Sequence, residues 1–479
     1  MSQTIKFGTD GWRALIANTF TFDNVALVAK ATSKYVKKTF KNGSSNLVVI
    51  GYDTRFLSAE FAAKVAVVLA STGIKVILSD GISSTPMVSY ATLKEKADLG
   101  IVITASHNPA VYSGYKVKAS FGGPATPKQI AGIEKELNKL IEKNSDGKLA
   151  IAEKDFGDLE NDGLIEYKDL SKAYLAYIKK RIDITAIKKS GLKIIYDPMY
   201  GAGIKTLERL LPGITILHNE HNPGFGEIDH PEPIDECLGV LMNEIKKGSY
   251  DVGLATDGDA DRLGLYDEKG RFVDSHRLFM IMLTYLYEHK KMKGEVAKTV
   301  SLTTMVNKFC EKNGLHLYQT PIGFKYIADL MSTKDILVGG EESGGLSTKL
   351  HIPERDGIFN GLFILEIMAK RGMKLSELSD ELDKNYGKHR YRRRDVRVTK
   401  QLQKKVVATF DKEPKEIGDF IVKSIDRTDG WKFFFDDGSW LLVRASGTEP
   451  LFRFYCEANS IKKVNDILDT AMGYVGIGS

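Results

Sequence analysis

The sequence predicts an α/β protein, with three related α/β units followed by a smaller C-terminal α+β unit. Three observations predict this. Short apolar runs that end in polar loops and lead into helical segments recur through most of the chain. That pattern restarts near Asp158 and again near Gly270. The last part alternates apolar and polar residues between turn signals, as antiparallel strands do. A length of 479 residues accommodates several domains.

Taken in order, residues 47–53 read as a strand ending in a polar loop, 61–70 as a helix and 75–78 as the next strand. The run 99–104 is a further buried strand, leading into Thr104-Ala105-Ser106-His107-Asn108-Pro109. Asn108-Pro109 forces a turn, because proline biases its predecessor away from helical backbone angles. Ser106 is therefore expected on a loop at the C-terminal end of a strand, where α/β proteins place their ligands. Residues 158–163 read as a polar loop and 167–182 as a helix. Residues 193–198 read as a strand, followed by the turn Gly201-Ala202-Gly203 and a helix. The strand 250–255 enters Thr256-Asp257. The third unit holds a helix over 276–287 and strands over 297–302 and 335–338. In the C-terminal unit, 396–398, 430–435, 440–444 and 451–457 are strands and 461–472 is a helix. Asp436-Asp437-Gly438 makes a hairpin turn. The basic run 388–394 reads as a solvated connector rather than a nucleic-acid site, since an alternating strand follows at once.

Composition narrows the function classes. Hydrophobic content of 43% and charged content of 27% describe an ordinary soluble globular protein. A net charge of +6 with both signs interspersed suits small anionic substrates and does not call for nucleic acid. Cys237, Cys310 and Cys456 lie far apart without metal-type spacing, which points to a reducing compartment and no disulfide framework. The first residues lack a signal-type apolar segment, and no run approaches the roughly 18 apolar residues of a membrane span. A cytoplasmic enzyme is the expectation.

Four segments carry chemistry. The hydroxyl of Ser106, with the His107 imidazole beside it, can attack a substrate or carry a covalent group. Asp257-Gly258-Asp259-Ala260-Asp261-Arg262 sets three carboxylates at alternate positions around a glycine that permits a sharp turn. Clustered carboxylates repel one another unless a cation neutralises them, and all-oxygen ligation selects a hard ion such as Mg²⁺. The alternative is a solvated acidic turn. Gly339-Gly340-Glu341-Glu342-Ser343-Gly344-Gly345 offers acceptors suited to vicinal hydroxyls, against the alternative of a plain surface turn. Arg444-Ala445-Ser446-Gly447-Thr448-Glu449-Pro450 combines a guanidinium fork, two hydroxyls and a glycine-centred turn into an anion cradle. Arg453 can add to it, and an ordinary turn with a salt bridge is the alternative. Lys116, near Ser106 in sequence, is a proton carrier, an electrostatic clamp or a solvated loop lysine.

Together and in this order, these motifs resemble the α-D-phosphohexomutase superfamily, which includes phosphoglucomutases and phosphomannomutases. Phe7-Gly8-Thr9-Asp10-Gly11-Trp12-Arg13 is similar to the family's N-terminal loop. Residues 104–109 resemble its phosphoserine loop, 257–262 its metal loop, 340–344 its sugar loop and 444–450 its phosphate loop. The resemblance implies four domains around a central cleft. These would be a phosphoserine-bearing α/β domain over 1–155 and a metal-loop α/β domain over 156–268, then a sugar-specificity α/β domain over 269–388 and a phosphate-binding α+β domain over 389–479.

It also implies roles. Ser106 would carry a phosphoryl group, and one of its oxygens, with Asp257, Asp259 and Asp261, would bind Mg²⁺. Arg13 and Arg262 would neutralise the phosphoserine, and Lys116 and His107 are the candidates for moving the proton. Glu341 and Ser343 would hold ring hydroxyls, helped by Gly323 and Lys325 of Thr320-Pro321-Ile322-Gly323-Phe324-Lys325, which resembles a sugar-contacting loop. Arg444, Ser446, Gly447, Thr448 and Arg453 would hold the phosphate that does not react. The implied reaction moves a phosphate between C1 and C6 of a hexose through a bisphosphorylated sugar, so glucose 1,6-bisphosphate is expected as intermediate and activator. The pair Glu341-Glu342 leans toward glucose, since phosphoglucosamine mutases more typically carry glutamine second. Gly344 departs from the aromatic residue often found there in phosphoglucomutases and matches the phosphomannomutase/phosphoglucomutase members, which leaves mannose open. His351-Ile352-Pro353-Glu354-Arg355-Asp356-Gly357 is similar to a stretch that follows the sugar loop. A phosphatase and a non-catalytic phosphosugar sensor are the rival classes. The first has no need of dedicated sugar and distal-phosphate loops, and the second has no need of Ser106 and three aspartates.

Overall fold

Four parallel strands, Leu47–Tyr52, Lys75–Ser79, Leu99–Ile103 and Ile165–Lys168, make the centre of the first sheet in a computed structural model of the chain. The structure describes residues 5–8, 10–40, 45–143, 153–445 and 451–477. Tyr112–Ala119 returns antiparallel beside Leu99–Ile103, and Trp12–Leu15 closes that edge. Alternation along the central strands buries both faces, as helix-covered parallel sheets require. Val48, Ile50, Val76 and Leu78 enter one core. Val49, Ile77 and Val102 enter the other, against Val88 and Ala91 of the helix Thr85–Lys94. Ser84 starts that helix by accepting from the Met87 N–H.

The described residues fall into two compact units, Met1–Met292 with Gly323–Ser376, and Lys293–Ile322 with Glu377–Ser479. Besides the first sheet, the first unit holds a second one ordered Phe272–Val273, Leu263–Asp267, Val252–Thr256, Ile194–Asp197, Thr215–Ile216. It also holds the antiparallel pair Ile336–Gly340 and Leu346–Thr348. The second unit holds the parallel pair Glu295–Thr299 and Leu317–Thr320, and a six-stranded antiparallel sheet built on Leu451–Ala458, Trp440–Ala445 and Trp431–Phe435. The helices Lys400–Phe410 and Ile461–Tyr474 cover that sheet through Val406, Phe410, Val464, Ile467 and Leu468. The mixed α/β fold with a distinct antiparallel C-terminal module is the predicted fold class.

Several boundaries differ from the sequence reading, each for a local reason. Residues 158–163 are not a loop: Asp155 caps a short helix, Phe156–Asn161. The helix expected over 167–182 is a strand, Ile165–Lys168, followed by a helix, Leu170–Lys179. Tyr167 pairs with Leu78, and the Asp169 carboxylate caps the helix at Lys172. After Gly203 there is one 3₁₀ turn, Leu207–Arg209, instead of a helix. The helix over 276–287 runs Ser275–Thr284 and widens into a π turn, Tyr285–His289. The basic run is not a connector but most of a strand, Arg390–Arg397, paired along its length with Leu451–Ala458. No helix among the described residues is long and apolar enough to cross a membrane.

Candidate active site

Ser106 sits just past the strand Leu99–Ile103, on the expected strand-end loop. Its backbone is left-handed, with φ of 53°, a conformation that costs a non-glycine residue of order 1 kcal/mol or more. The Thr104 hydroxyl holds that turn by accepting from the Ser106 N–H at 2.9 Å. The serine is buried, and its Oγ donates to Asp257 Oδ2 at 2.8 Å across 151 residues of sequence. His107 Nδ1 is 3.5 Å from the same Oγ.

The acidic loop leaves the strand Val252–Thr256. Asp257 turns it, accepting from the N–H groups of Asp261 at 2.8 Å and Arg262 at 3.0 Å. Gly258 lets it approach the serine: a Cβ there would lie 2.3 Å from the Ser106 carbonyl oxygen, so no larger residue fits. Asp257, Asp259 and Asp261 are fully buried, and an oxygen of each lies within 4.8 Å of the others. Thr85 donates to Asp259 Oδ2. Asp259 Oδ1 and Asp261 Oδ1 are buried and accept no hydrogen bond among the described residues. Three carboxylates with two such orphaned oxygens, and no nitrogen or sulfur donor in the set, fit a hard divalent cation.

Lys116 is not a solvated loop lysine. It lies on the strand Tyr112–Ala119, fully buried. Its ammonium touches Asp259 at 2.7 Å, Asp10 at 2.8 Å and Asp261 at 3.0 Å. Burial alone would lower its pKa, but Asp10, Asp259 and Asp261 outweigh burial and raise it, so the amine stays charged. Burial would raise Asp259, and Lys116 instead holds it well below the usual carboxylate range. Asp257 lacks that ammonium, and burial with its two acidic neighbours pushes it well above. Burial, then the Arg262 guanidinium and other cations nearby, hold His107 well below the usual histidine range, so its ring is neutral.

Arg13 reaches the serine loop, and Arg262 pairs elsewhere in the unit. Arg13 Nη1 donates to Asn108 Oδ1 at 2.7 Å, and Arg262 pairs with Glu232 at 2.7 Å. The sugar-type loop follows the strand Ile336–Gly340, and Ser343 Oγ donates to Glu341 Oε1 at 2.8 Å. Burial raises Glu341, against the pull of Arg355. Gly323 precedes the helix Phe324–Thr333 with φ of 134°, and Lys325 lies on its first turn. Between them, the Phe324 ring lies 5.8 Å from the Arg355 guanidinium.

Among the residues of this cluster with no role in the sequence reading are Asp10 and Arg355. Arg355 Nη2 reaches Asp10 and Asp261 at 2.6 Å each, and Nη1 reaches Glu341 at 3.2 Å. It thereby joins the N-terminal, acidic and sugar-type loops. Both lie inside motifs quoted for their resemblance, which is the signal that pointed at them. Of the proposed anion cradle, Arg444 pairs with Asp429 at 2.8 Å and Arg453 with Asp395 at 3.3 Å in the second unit. Ser446, Gly447 and Thr448 lie outside the described residues, as does Thr9 of the N-terminal loop.

The charge balance yields a stability test. Lys116→Met leaves two buried carboxylates and the half-buried Asp10 without their shared ammonium, and breaking a buried pair costs about 3–5 kcal/mol. Chelated Lys116→Met is expected to melt well below the chelated parent, and Mg²⁺ to raise the variant more than the parent. Thermal denaturation with and without Mg²⁺ checks this, and equal melting of the chelated proteins contradicts it.

Comparison with known proteins agrees with the geometry. Phosphoglucomutase/phosphomannomutase alpha/beta/alpha domains I, II and III match residues 4–144, 172–270 and 274–386, and the C-terminal domain of that family matches 395–472. The chain is 33% identical to a phosphoglucomutase/phosphomannomutase of Thermococcus kodakarensis, covering 97% of this chain and 96% of the relative. It is 29% identical to a phosphoglucosamine mutase of Desulforamulus reducens, covering 98% and 99%. A crystal structure from Thermus thermophilus, assigned as a phosphomannomutase, superposes with a TM-score of 0.85 at 32% identity, covering 99% of this chain and all of that one. With four family domains in order and whole-length relatives, the chain belongs to the α-D-phosphohexomutase superfamily and is an intramolecular phosphotransferase of the phosphoglucomutase/phosphomannomutase type.

Proposed function

We propose that this enzyme interconverts glucose 1-phosphate and glucose 6-phosphate through a phosphorylated Ser106. The observation that carries this reading is the Ser106 hydroxyl, 2.8 Å from Asp257, on the rim of a buried three-aspartate cluster. Asp257, Asp259 and Asp261 would hold Mg²⁺, which when bound draws charge from the phosphoryl oxygens and favours transfer. The Oγ–P bond of the phosphoserine breaks as a hydroxyl oxygen of the hexose phosphate bonds to phosphorus. The hydroxyl proton leaves to a base, and Ser106 Oγ is protonated. The resulting hexose bisphosphate turns over in the site and returns its other phosphate to Ser106. Of the two proton candidates, Lys116 is tied to three carboxylates and stays charged, and His107, whose Nδ1 lies 3.5 Å from Oγ, is the one placed beside the reacting oxygen. Arg13 and Arg262 balance the phosphoserine charge. Glu341 and Ser343, with Gly323 and Lys325, take the sugar ring.

The hexose is read from the resemblance alone: Glu341-Glu342 has glutamate where phosphoglucosamine mutases more typically carry glutamine, which leans toward glucose. Relatives named phosphoglucosamine mutase make glucosamine the competing substrate, and mannose follows from Gly344. A coupled assay comparing the 1-phosphates of glucose, mannose and glucosamine tests this: glucose should give the highest kcat/KM. Enzyme stripped of its phosphoryl group should recover activity on adding glucose 1,6-bisphosphate. Release of inorganic phosphate without glucose 6-phosphate would make it a phosphatase instead.

Arg444 is proposed to hold the phosphate that is not transferred, with Ser446, Gly447, Thr448 and Arg453. Such a contact acts in ground and transition states alike, so its loss weakens binding first. A charge-assisted hydrogen bond is worth about 1.5–3 kcal/mol, so Arg444→Ala should lower kcat/KM roughly ten- to hundredfold. The variant should keep its phosphoserine, visible by intact mass. An unchanged KM with a lost phosphoryl adduct would place Arg444 at the reacting group.

A further inference from the structure

Arg55 is almost fully buried, 2% exposed, and lies in none of the motifs discussed so far. Its five N–H donors are all engaged. Nη2 donates to the carbonyl oxygens of Ser106 and Asn108 at 2.6 Å each. Nη1 donates to those of Pro109 at 2.8 Å and Tyr112 at 3.0 Å. Nε donates to Asp53 Oδ2 at 3.1 Å. The carbonyls of Ser106, Asn108 and Pro109 on the loop and of Tyr112 at the start of the next strand thus converge on one guanidinium.

The guanidinium is itself fixed. Asp53 Oδ1 accepts from the Arg55 N–H at 3.0 Å and from Ser58 Oγ at 2.9 Å. The Asp53 N–H donates to the Ile103 carbonyl at 3.1 Å, at the end of the strand that delivers Ser106. The buried Phe225 ring lies 4.9 Å below the guanidinium carbon. Gly258 of the acidic loop packs against the same Ser106 carbonyl that Arg55 grips. The Ser106 carbonyl is therefore held by Arg55 and packed against the acidic loop, in the left-handed geometry that aims Oγ at Asp257.

We propose that Arg55 is a positioning residue for phosphoryl transfer. It shapes the 106–112 loop so that the serine oxygen stands at the aspartate cluster, and it contacts neither the phosphoryl group nor the sugar, since no donor is left for them. The proposal rests on the reading of Ser106 as the phosphoryl carrier. A lysine retains the charge but has a single nitrogen with three donors, which cannot span four carbonyls. A misplacement of about 1 Å at a reacting atom costs roughly a hundredfold in rate.

The test compares the full-length parent with Arg55→Lys, Arg55→Ala and Ser106→Ala, measuring kcat and KM for glucose 1-phosphate, thermal melting, and activity with added guanidinium ion. Arg55→Lys should lose roughly a hundredfold in kcat with KM nearly unchanged. Arg55→Ala should lose more, and guanidinium should restore part of its kcat while doing nothing for Ser106→Ala. If Arg55→Ala does not fold, Arg55→Lys decides alone. Parent-like kcat in Arg55→Lys beside an inactive Ser106→Ala overturns the role of Arg55 and leaves the serine reading standing. A loss that falls on KM, or that follows melting alone, also overturns it. Turnover by Ser106→Ala overturns both.

Discussion

Replacing Ser106 by alanine is expected to lower turnover by about 10⁴-fold or more, because the covalent carrier is gone rather than weakened. The fold should survive. The side chain makes two polar contacts, to Asp257 at 2.8 Å and His107 at 3.5 Å, and the turn is held by the backbone N–H, which alanine keeps. Alanine takes the left-handed backbone at much the same cost as serine. Losing one hydrogen bond should change stability by about 0.5–1.5 kcal/mol. Intact-mass measurement should find a phosphoryl adduct on the parent and none on the variant, with similar thermal melts. A variant that still isomerises glucose 1-phosphate at a parent-like rate would remove phosphoserine from the reaction.

The second large effect concerns the aspartate cluster. Chelation should bring activity to background and Mg²⁺ should restore it. Asp259→Asn should stay low even in saturating Mg²⁺. A bound divalent ion supplies several kcal/mol to the transition state, so a loss of about 10³-fold or more is expected. Asparagine keeps the shape of Asp259, and its amide oxygen can take the place of Oδ2 in accepting from Thr85 and Lys116, so the loop should hold its form. Circular dichroism and calorimetric Mg²⁺ titration separate lost binding from lost structure. Full activity of the parent in excess chelator would mean that Lys116 and Arg355 suffice as counter-charge.

Helix and strand identities were readable wherever apolar period and turn chemistry agreed, as at Leu99–Ile103, Ser58–Ala70 and the hairpin between Trp431–Phe435 and Trp440–Ala445. They failed where pairing outweighed composition. Arg390–Arg397 carries too many charges to read as a strand, yet its backbone pairs residue for residue with Leu451–Ala458, and its long side chains stay partly solvated. Tyr167 looked helical and became sheet because Lys75–Ser79 offers a parallel edge.

By itself the sequence determined the fold class, the serine on a strand-end loop, the three aspartates and the order of the four motifs. The serine loop and the aspartates rest on neighbours within a few residues, where glycine, proline and alternating carboxylates constrain the chain directly, and the fold class and motif order rest on local patterns repeated along the chain. Only the tertiary structure decided what surrounds them. Asp10 meets Arg355 across 345 positions, and Lys116 meets Asp259 across 143. Arg55 takes hold of the serine loop from 51 residues away. A lysine or arginine in the sequence carries the same charge whether solvated or buried. Its function here comes from carboxylates and carbonyls that chain topology brings to it, in a dry interior where an unpaired charge could not remain.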